Sequence, residues 1–274
     1  ATIILNPVQK NQDGSLSVTA YSQGNTSDLD GVKGYITSDI SNTLTYFKAP
    51  NPQNLKVENG VLVWDELESK YQGAYFKMSI SADIDGSSTT EELDCKNNIH
   101  SYDFSSSISG TYNIAIKVIG TSNGTAGNLV MSSGQSYISF VILPQPELKV
   151  TDVQSVLNSQ KLDVLPGELY WEKVSINSNS ALGYNLLIQK GKTTKTYDIG
   201  SKTSFNLPDE AGTYKISLQA YGDGGQIIDG KYSEPIEFDK LKAPKNIKIN
   251  SDGVISWDSD YTGSLVNIRA GFYV

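Results

Sequence analysis

Few residues in this chain have the types and spacing that chemistry needs. Gly120-Thr121-Ser122-Asn123-Gly124 has the spacing of a serine nucleophile flanked by glycines. Such a serine reacts only when a strand, a tight turn and a helix expose its hydroxyl and a histidine later in the chain takes its proton. Here a turn-rich stretch follows, and the single histidine, His100, comes earlier. The pattern is therefore expected in a loop between two strands. His100 alone supplies neither a proton relay nor a histidine-rich metal site. Cys95, the single cysteine, would have to meet His100 in a cleft beside an orienting group to act as a nucleophile; a surface or edge histidine is the expectation.

Asp83-Ile84-Asp85-Gly86 begins like a calcium loop but lacks the third ligand before the glycine and the later glutamate that such a loop requires. A tight hairpin turn accounts for it. Asp28, Asp30 and Asp229 fall in corresponding loops, which leaves calcium at a module junction as the one cofactor these residues allow. Glycoside hydrolysis needs two carboxylates at a set separation, and no pair stands out among the 30 acids. Four tyrosines remain, Tyr71, Tyr75, Tyr184 and Tyr261, near the start of the third strand in each copy of a repeat. They are the candidate glycan contacts, because an exposed ring can stack on a sugar; packing at the end of a sandwich is the competing role. No catalytic, cofactor-binding or metal residue is assigned, and the chain is not expected to be an enzyme.

The repeat is carried by all three tryptophans, each in Gly-x-x-x-Trp followed by an acid: Gly60 to Asp65, Gly167 to Glu172 and Gly253 to Asp258. They fall about a hundred residues apart, the size of one sandwich domain. Asn54-Leu55-Lys56-Val57 precedes the first and Asn246-Ile247-Lys248-Ile249 the third, each after an Ala-Pro pair. Gly110-Thr111-Tyr112 and Gly212-Thr213-Tyr214 follow the first two and lead into alternating apolar runs, and Gly14-Ser15-Leu16 is a weaker version. Phe76, Met78 and Ile80 alternate with Lys77, Ser79 and Ser81, the pattern of a half-buried strand. No amphipathic helix is evident. The fold class expected is all-β, tandem Ig-like or fibronectin type III-like β-sandwiches.

Net charge is −8, from 22 basic and 30 acidic residues, without the basic patch that a phosphate backbone demands. Apolar runs such as Phe140-Val141-Ile142-Leu143 are far shorter than a bilayer span. Nucleic acid and membrane insertion of this segment are thereby excluded as expectations. One cysteine allows no intrachain disulfide. Ala1-Thr2-Ile3-Ile4-Leu5 has no charged leader and no long apolar core, so it does not read as a signal peptide.

Overlaying the copies places the boundaries. Residues 1–47 read as the back half of a module, 48–145 and 146–240 as complete modules, and 241–274 as a front half. Prolines in Leu143-Pro144-Gln145-Pro146 and Lys242-Ala243-Pro244 suit junctions. Together the halves amount to about one repeat, so they could complement each other within a chain or, by self-association, between neighbouring chains; a segment cut from a longer array is the reading favoured over that.

The run from Lys242-Ala243-Pro244 to Gly253-Val254-Ile255-Ser256-Trp257-Asp258 resembles the opening strands of fibronectin type III modules. Gly212-Thr213-Tyr214 to Tyr221-Gly222, ending at Tyr232-Ser233-Glu234-Pro235, resembles their closing strands. The likeness is nearest to the tandem modules of surface proteins from Gram-positive gut bacteria. It implies that Trp64, Trp171 and Trp257 pack between sheets and that Tyr112 and Tyr214 pack at strand starts. The middle copy departs from the pattern, with residues 153–165 replacing a short first turn. The function expected is a non-catalytic stalk, spacer or adhesion segment of a secreted or wall-attached bacterial protein, with host or dietary glycans or other surface proteins as partners. The alternative is a carbohydrate-binding accessory to a glycan-degrading enzyme.

Overall fold

Period-two alternation of apolar and polar side chains, interrupted by Asn-Gly and Asp-Gly pairs, folds this chain into hairpins. The structure, a computed structural model, describes residues 14–19, 21–23, 37–40, 44–121, 129–150, 155–158, 161–164, 168–208 and 210–260. Among them there is no α-helix. The chain divides into two compact units, the second beginning at Val141 and also taking in Ile108–Gly110.

The first unit holds β1 (Gly14–Val18), β2 (Leu44–Lys48), β3 (Lys56–Glu58), β4 (Val61–Val63), β5 (Tyr75–Ile84), β6 (Ser87–Cys95), β7 (Ser101–Asp103), β8 (Gly110–Ile119), β9 (Leu129–Met131) and most of β10 (Gln135–Ile142). Strand order is β3-β4-β7 in one sheet and β10-β8-β5-β6 in the other, while β1 pairs with β2, and β2 runs parallel to β9. Asn59 and Gly60 turn β3 into β4, and Asp85 and Gly86 turn β5 into β6, all four in the left-handed region. That is the two-residue hairpin geometry Asn-Gly and Asp-Gly favour, so Asp83-Ile84-Asp85-Gly86 is a turn. Phe76, Met78, Ile80 and Ala82 of β5 stand opposite Val118, Ile116, Ile114 and Tyr112 of β8, and all eight are buried. Trp64, just past β4, meets Phe76 edge-on at 5.6 Å, and Phe104 packs against Tyr112 and Phe140. These aromatics join the two sheets into a sandwich.

The second unit takes in Val141 and Ile142, the end of β10. It continues with β11 (Lys149–Val150), β12 (Ser155–Asn158), β13 (Lys161–Val164), β14 (Glu168–Tyr170), β15 (Ser175–Ile176), β16 (Asn179–Ser180), β17 (Gly183–Lys190), β18 (Thr193–Asp198), β19 (Ser204–Asn206), β20 (Gly212–Tyr221), β21 (Ile227–Ile228), β22 (Ile236–Lys240), β23 (Lys245–Ile249) and β24 (Ile255–Asp258). Here β11-β14-β19 faces β18-β17-β20-β22, the same arrangement. Within the departure at 153–165, β12 pairs with β13, and the strand before it persists as β11 paired with β14. Val141 and Ile142 lie parallel to Ile227 and Ile228, as Phe47 and Lys48 lie parallel to Val130 and Met131 in the first unit. Tyr184, Leu186 and Ile188 of β17 oppose Ala220, Leu218 and Ile216 of β20, and the six are buried with Trp171, Leu169 and Tyr214.

Trp64 and Trp171 are buried between the sheets, with each indole N–H unpartnered among the described residues. Leaving such a donor dry costs about 1–3 kcal/mol. Removing the ring's 150–250 Å² from water stabilises by about 4–6 kcal/mol, so burial wins. Trp257 departs from the expected packing and is half-exposed on the β23–β24 hairpin.

Candidate functional site

Loop 65–75 of the first unit positions a candidate site. Glu68 leads into a single 3-10 turn, Ser69–Tyr71, which folds the Tyr71 ring into the core. The chain then enters β5 at Tyr75, one residue before the buried Phe76, so alternation turns Tyr75 outward, half-exposed. On the neighbouring strand β6 ends at Cys95, and Asn97 and Asn98 both adopt left-handed backbone, which bends 96–98 back toward Tyr75. The result is an open cleft of about 770 Å³ between Leu67-Glu68-Ser69 and Lys96-Asn97-Asn98, with Tyr71 and Tyr75 among its lining.

Asn98 fastens the two walls. Its Oδ1 accepts the Leu67 N–H at 2.9 Å, and its Nδ2 donates to Glu66 Oε2 at 3.4 Å. The Lys96 ammonium stands 5.7 Å from the Tyr75 ring centroid, and Lys70 stands 4.9 Å from that of Tyr71 while donating to Glu68 at 3.0 Å. That bond to Glu68 holds the Lys70 amine above its ordinary pKa. An outward ring edged by ammonium, carboxylate and amide groups can stack on a flat apolar face and hydrogen-bond hydroxyls around it. It offers no nucleophile and base in contact.

The four candidate tyrosines do not form one set. Tyr71 is buried, and Lys70 lies over its ring. Tyr75 alone presents a partly open ring to the cleft. Tyr184 is a correction: it occupies the position of Phe76, not of Tyr75, since it stands opposite Ala220 and meets Trp171 edge-on at 5.5 Å. Its hydroxyl accepts the buried Val174 N–H at 2.8 Å, so no face is left for a sugar. Tyr261 lies outside the described residues.

The position equivalent to Tyr75 in the second unit is Gly183, and there the aromatic comes from the adjacent strand. Tyr221 lies so close to Gly183 that a Cβ there would sit 2.3 Å from the hydroxyl. That hydroxyl donates to Asp198 Oδ1 at 3.0 Å, and the carboxylate beside it raises the phenol's pKa. Tyr221 was legible in the sequence only as a repeat landmark, in Ala220-Tyr221-Gly222.

The remaining candidates are structural where they are described. His100 is exposed, its Nδ1 3.0 Å from the Asn98 carbonyl, while its own carbonyl accepts the Trp64 N–H. Cys95 is buried, and burial pushes its thiol above the ordinary value. Asp229 accepts the Gly222 N–H at 2.9 Å. Asp28, Asp30 and Ser122 lie outside the described residues. Among the described residues no three His, Cys, Asp or Glu side chains converge, and no helix is long and apolar enough to cross a membrane.

No family model and no curated protein matches the chain. Among solved structures it is similar to the FN1–FN3 domains of chicken CNTN1, at 18% identity and a TM-score of 0.32, over 75% of this chain and 73% of that one. It is also similar to the selenomethionine-substituted chicken interferon gamma receptor alpha chain, at 17% identity and a TM-score of 0.28, over 69% of this chain and 98% of that one. Neither likeness bears on what this chain binds. Its description as tandem fibronectin type III-like sandwiches rests on the two matching strand orders.

Proposed function

We propose that the chain is a non-catalytic stalk, spacer or adhesion segment of an extracellular, bacterial surface protein. The observation that supports this reading is repetition: two successive units rebuild one strand order and one core, Trp64 on Phe76 and Trp171 on Tyr184, as a row of spacers requires. A spacer needs a folded, soluble frame and no reacting groups.

The Tyr75 cleft favours a second reading, a carbohydrate-binding module that accompanies a glycan-degrading enzyme. Its partners would be host or dietary glycans, with calcium at oxygen-rich loops as an optional ligand. One experiment separates the two. The labelled chain is applied to a glycan and mucin array with and without calcium, beside the Tyr75→Ala variant. Binding that Tyr75→Ala abolishes assigns the cleft to sugar; silence across the array upholds the spacer.

A further inference from the structure

β6 and β18 are open sheet edges at equivalent places in the two units. β6 ends its sheet beyond β5, and β18 ends its sheet beyond β17, so among the described residues no strand pairs with the outer side of either. Such a row of unpaired backbone groups is a template for a further strand, which proline, a bulge or a very short strand would blunt. β6 runs nine residues and β18 six, each without proline and in unbroken register with its neighbour. Neither edge uses those devices.

Register places one charge on the inner face of each. In β6, Cys95 stands opposite Phe76, Leu93 opposite Met78 and Glu91 opposite Ile80. Phe76, Met78, Ile80 and Cys95 are buried, so alternation turns Glu91 to the face these core residues share. In β18, Tyr197 stands opposite Leu186 and Lys195 opposite Ile188. Leu186 and Ile188 are buried, Tyr197 packs against their core, and Lys195 follows on the same face. Because Tyr184 holds the position of Phe76, Ile188 holds that of Ile80, and Glu91 and Lys195 occupy one position in two units. Both are exposed. The units share an inward charge there but not its sign. Binding a particular group would demand one sign, whereas excluding contact is served by either.

We propose that Glu91 and Lys195 are gatekeepers that keep the β6 and β18 edges closed to the addition of a strand, above all the same edge of another copy. An added strand would extend the inner face past them and take a charge out of water with no partner to meet it. That loss outweighs the new backbone hydrogen bonds, each of which only replaces bonds to water. When like edges pair, charges of one sign are also brought together. The larger part of the cost is desolvation, so it does not depend on the sign of the charge. The proposal does not rest on the functional reading above.

The test uses the whole 274-residue chain in sedimentation velocity, with each variant measured against the unaltered chain at equal concentrations. Glu91→Val and Lys195→Val remove the inward charge and put a strand-favouring side chain in its place. Thr90→Val and Thr196→Val place the same side chain on the outward face of the same strands. Glu91→Lys reverses the sign and keeps a charge. Circular dichroism melts follow the fold of each variant, and Glu91→Thr and Lys195→Thr repeat the measurement with a side chain both strands already carry, should valine disturb it. Removing the inward charge should raise the apparent association constant about a hundredfold or more in either unit. The outward variants and Glu91→Lys should sediment as the unaltered chain does. Inward variants that sediment unchanged, outward variants that associate as strongly, or association of Glu91→Lys would each overturn the proposal.

Discussion

Tyr184→Phe tests the register on which the assignment of the outward tyrosine depends. If Tyr184 holds the Phe76 position, its hydroxyl is the partner of the buried Val174 N–H, and deleting it leaves that donor dry. An unmet buried donor costs about 1–3 kcal/mol, and a full truncation to Ala about 3–5 kcal/mol through the cavity it opens. By contrast, Tyr75→Ala removes a half-exposed ring whose charged neighbour is Lys96, a loss of about 1 kcal/mol or less. The assay is urea unfolding of the second unit followed by Trp171 fluorescence, in a background where Trp64 and Trp257 are Phe in every protein compared. A loss of roughly 1.5 kcal/mol, with an m-value of roughly 1.5 kcal/mol/M, lowers the midpoint by about 1 M. A midpoint unmoved by Tyr184→Phe would show that the hydroxyl makes no buried bond, and the placement of Tyr184 in the core would fail with it. The same outcome would return Tyr184 to the candidate glycan contacts.

Two glycines at equivalent strand ends make a paired prediction. A Cβ at Gly120 would lie 1.9 Å from the Val130 carbonyl oxygen, and one at Gly222 would lie 2.0 Å from that of Ile227. Each Gly→Ala change should destabilise its own unit by about 1–3 kcal/mol, since backbone must shift to admit it; a neutral result in calorimetry at either site would deny the close approach. The Lys77–Glu92 pair, at 2.6 Å, predicts a pH dependence. The ammonium holds the Glu92 carboxyl below its ordinary 4.5, so the pair's contribution is complete above that value and is lost as pH falls through the lowered one. Lys77, raised above 10.5 chiefly by the same bond, loses its share only as pH climbs past its raised value. The melting-temperature difference between the unaltered chain and Glu92→Gln should therefore be flat from pH 5 to 9 and shrink toward pH 3. A difference that stays constant to pH 3 would refute the assignment.

The strands were legible because period two is a strong signal where one face is buried and the other wet. Phe76 to Ile80 reads this way and is built this way, and the Asp85-Gly86 turn follows from the left-handed backbone those residues tolerate. The tyrosine set was not legible, for a reason of counting. The stretch between Trp and the aromatic it packs against is one residue longer in the second unit, from Trp171 to Tyr184, than from Trp64 to Phe76. In a strand, a slip of one residue moves a side chain to the opposite face, so matching tyrosine to tyrosine paired an outward ring with a core ring. The parallel pairing of Phe47 and Lys48 with Val130 and Met131 left no mark in sequence either, because it is made by backbone groups and asks no particular side chain.

The stretches that carry this slip are also where the two units differ most. In the first, residues 65–75 make a 3-10 turn that plugs the sandwich end with Tyr71 and leaves the cleft beside Tyr75. In the second, the corresponding stretch makes the short β15–β16 hairpin, and Val174 plugs the end, tied to Tyr184 through its N–H. Each solution seals its core with one or two side chains, and the paired strands below are indifferent to which is used: β5 meets β8 in the register in which β17 meets β20. The frame thus fixes where a loop begins and ends but not what it presents. In the first unit that end carries an outward ring beside a lysine and two asparagines.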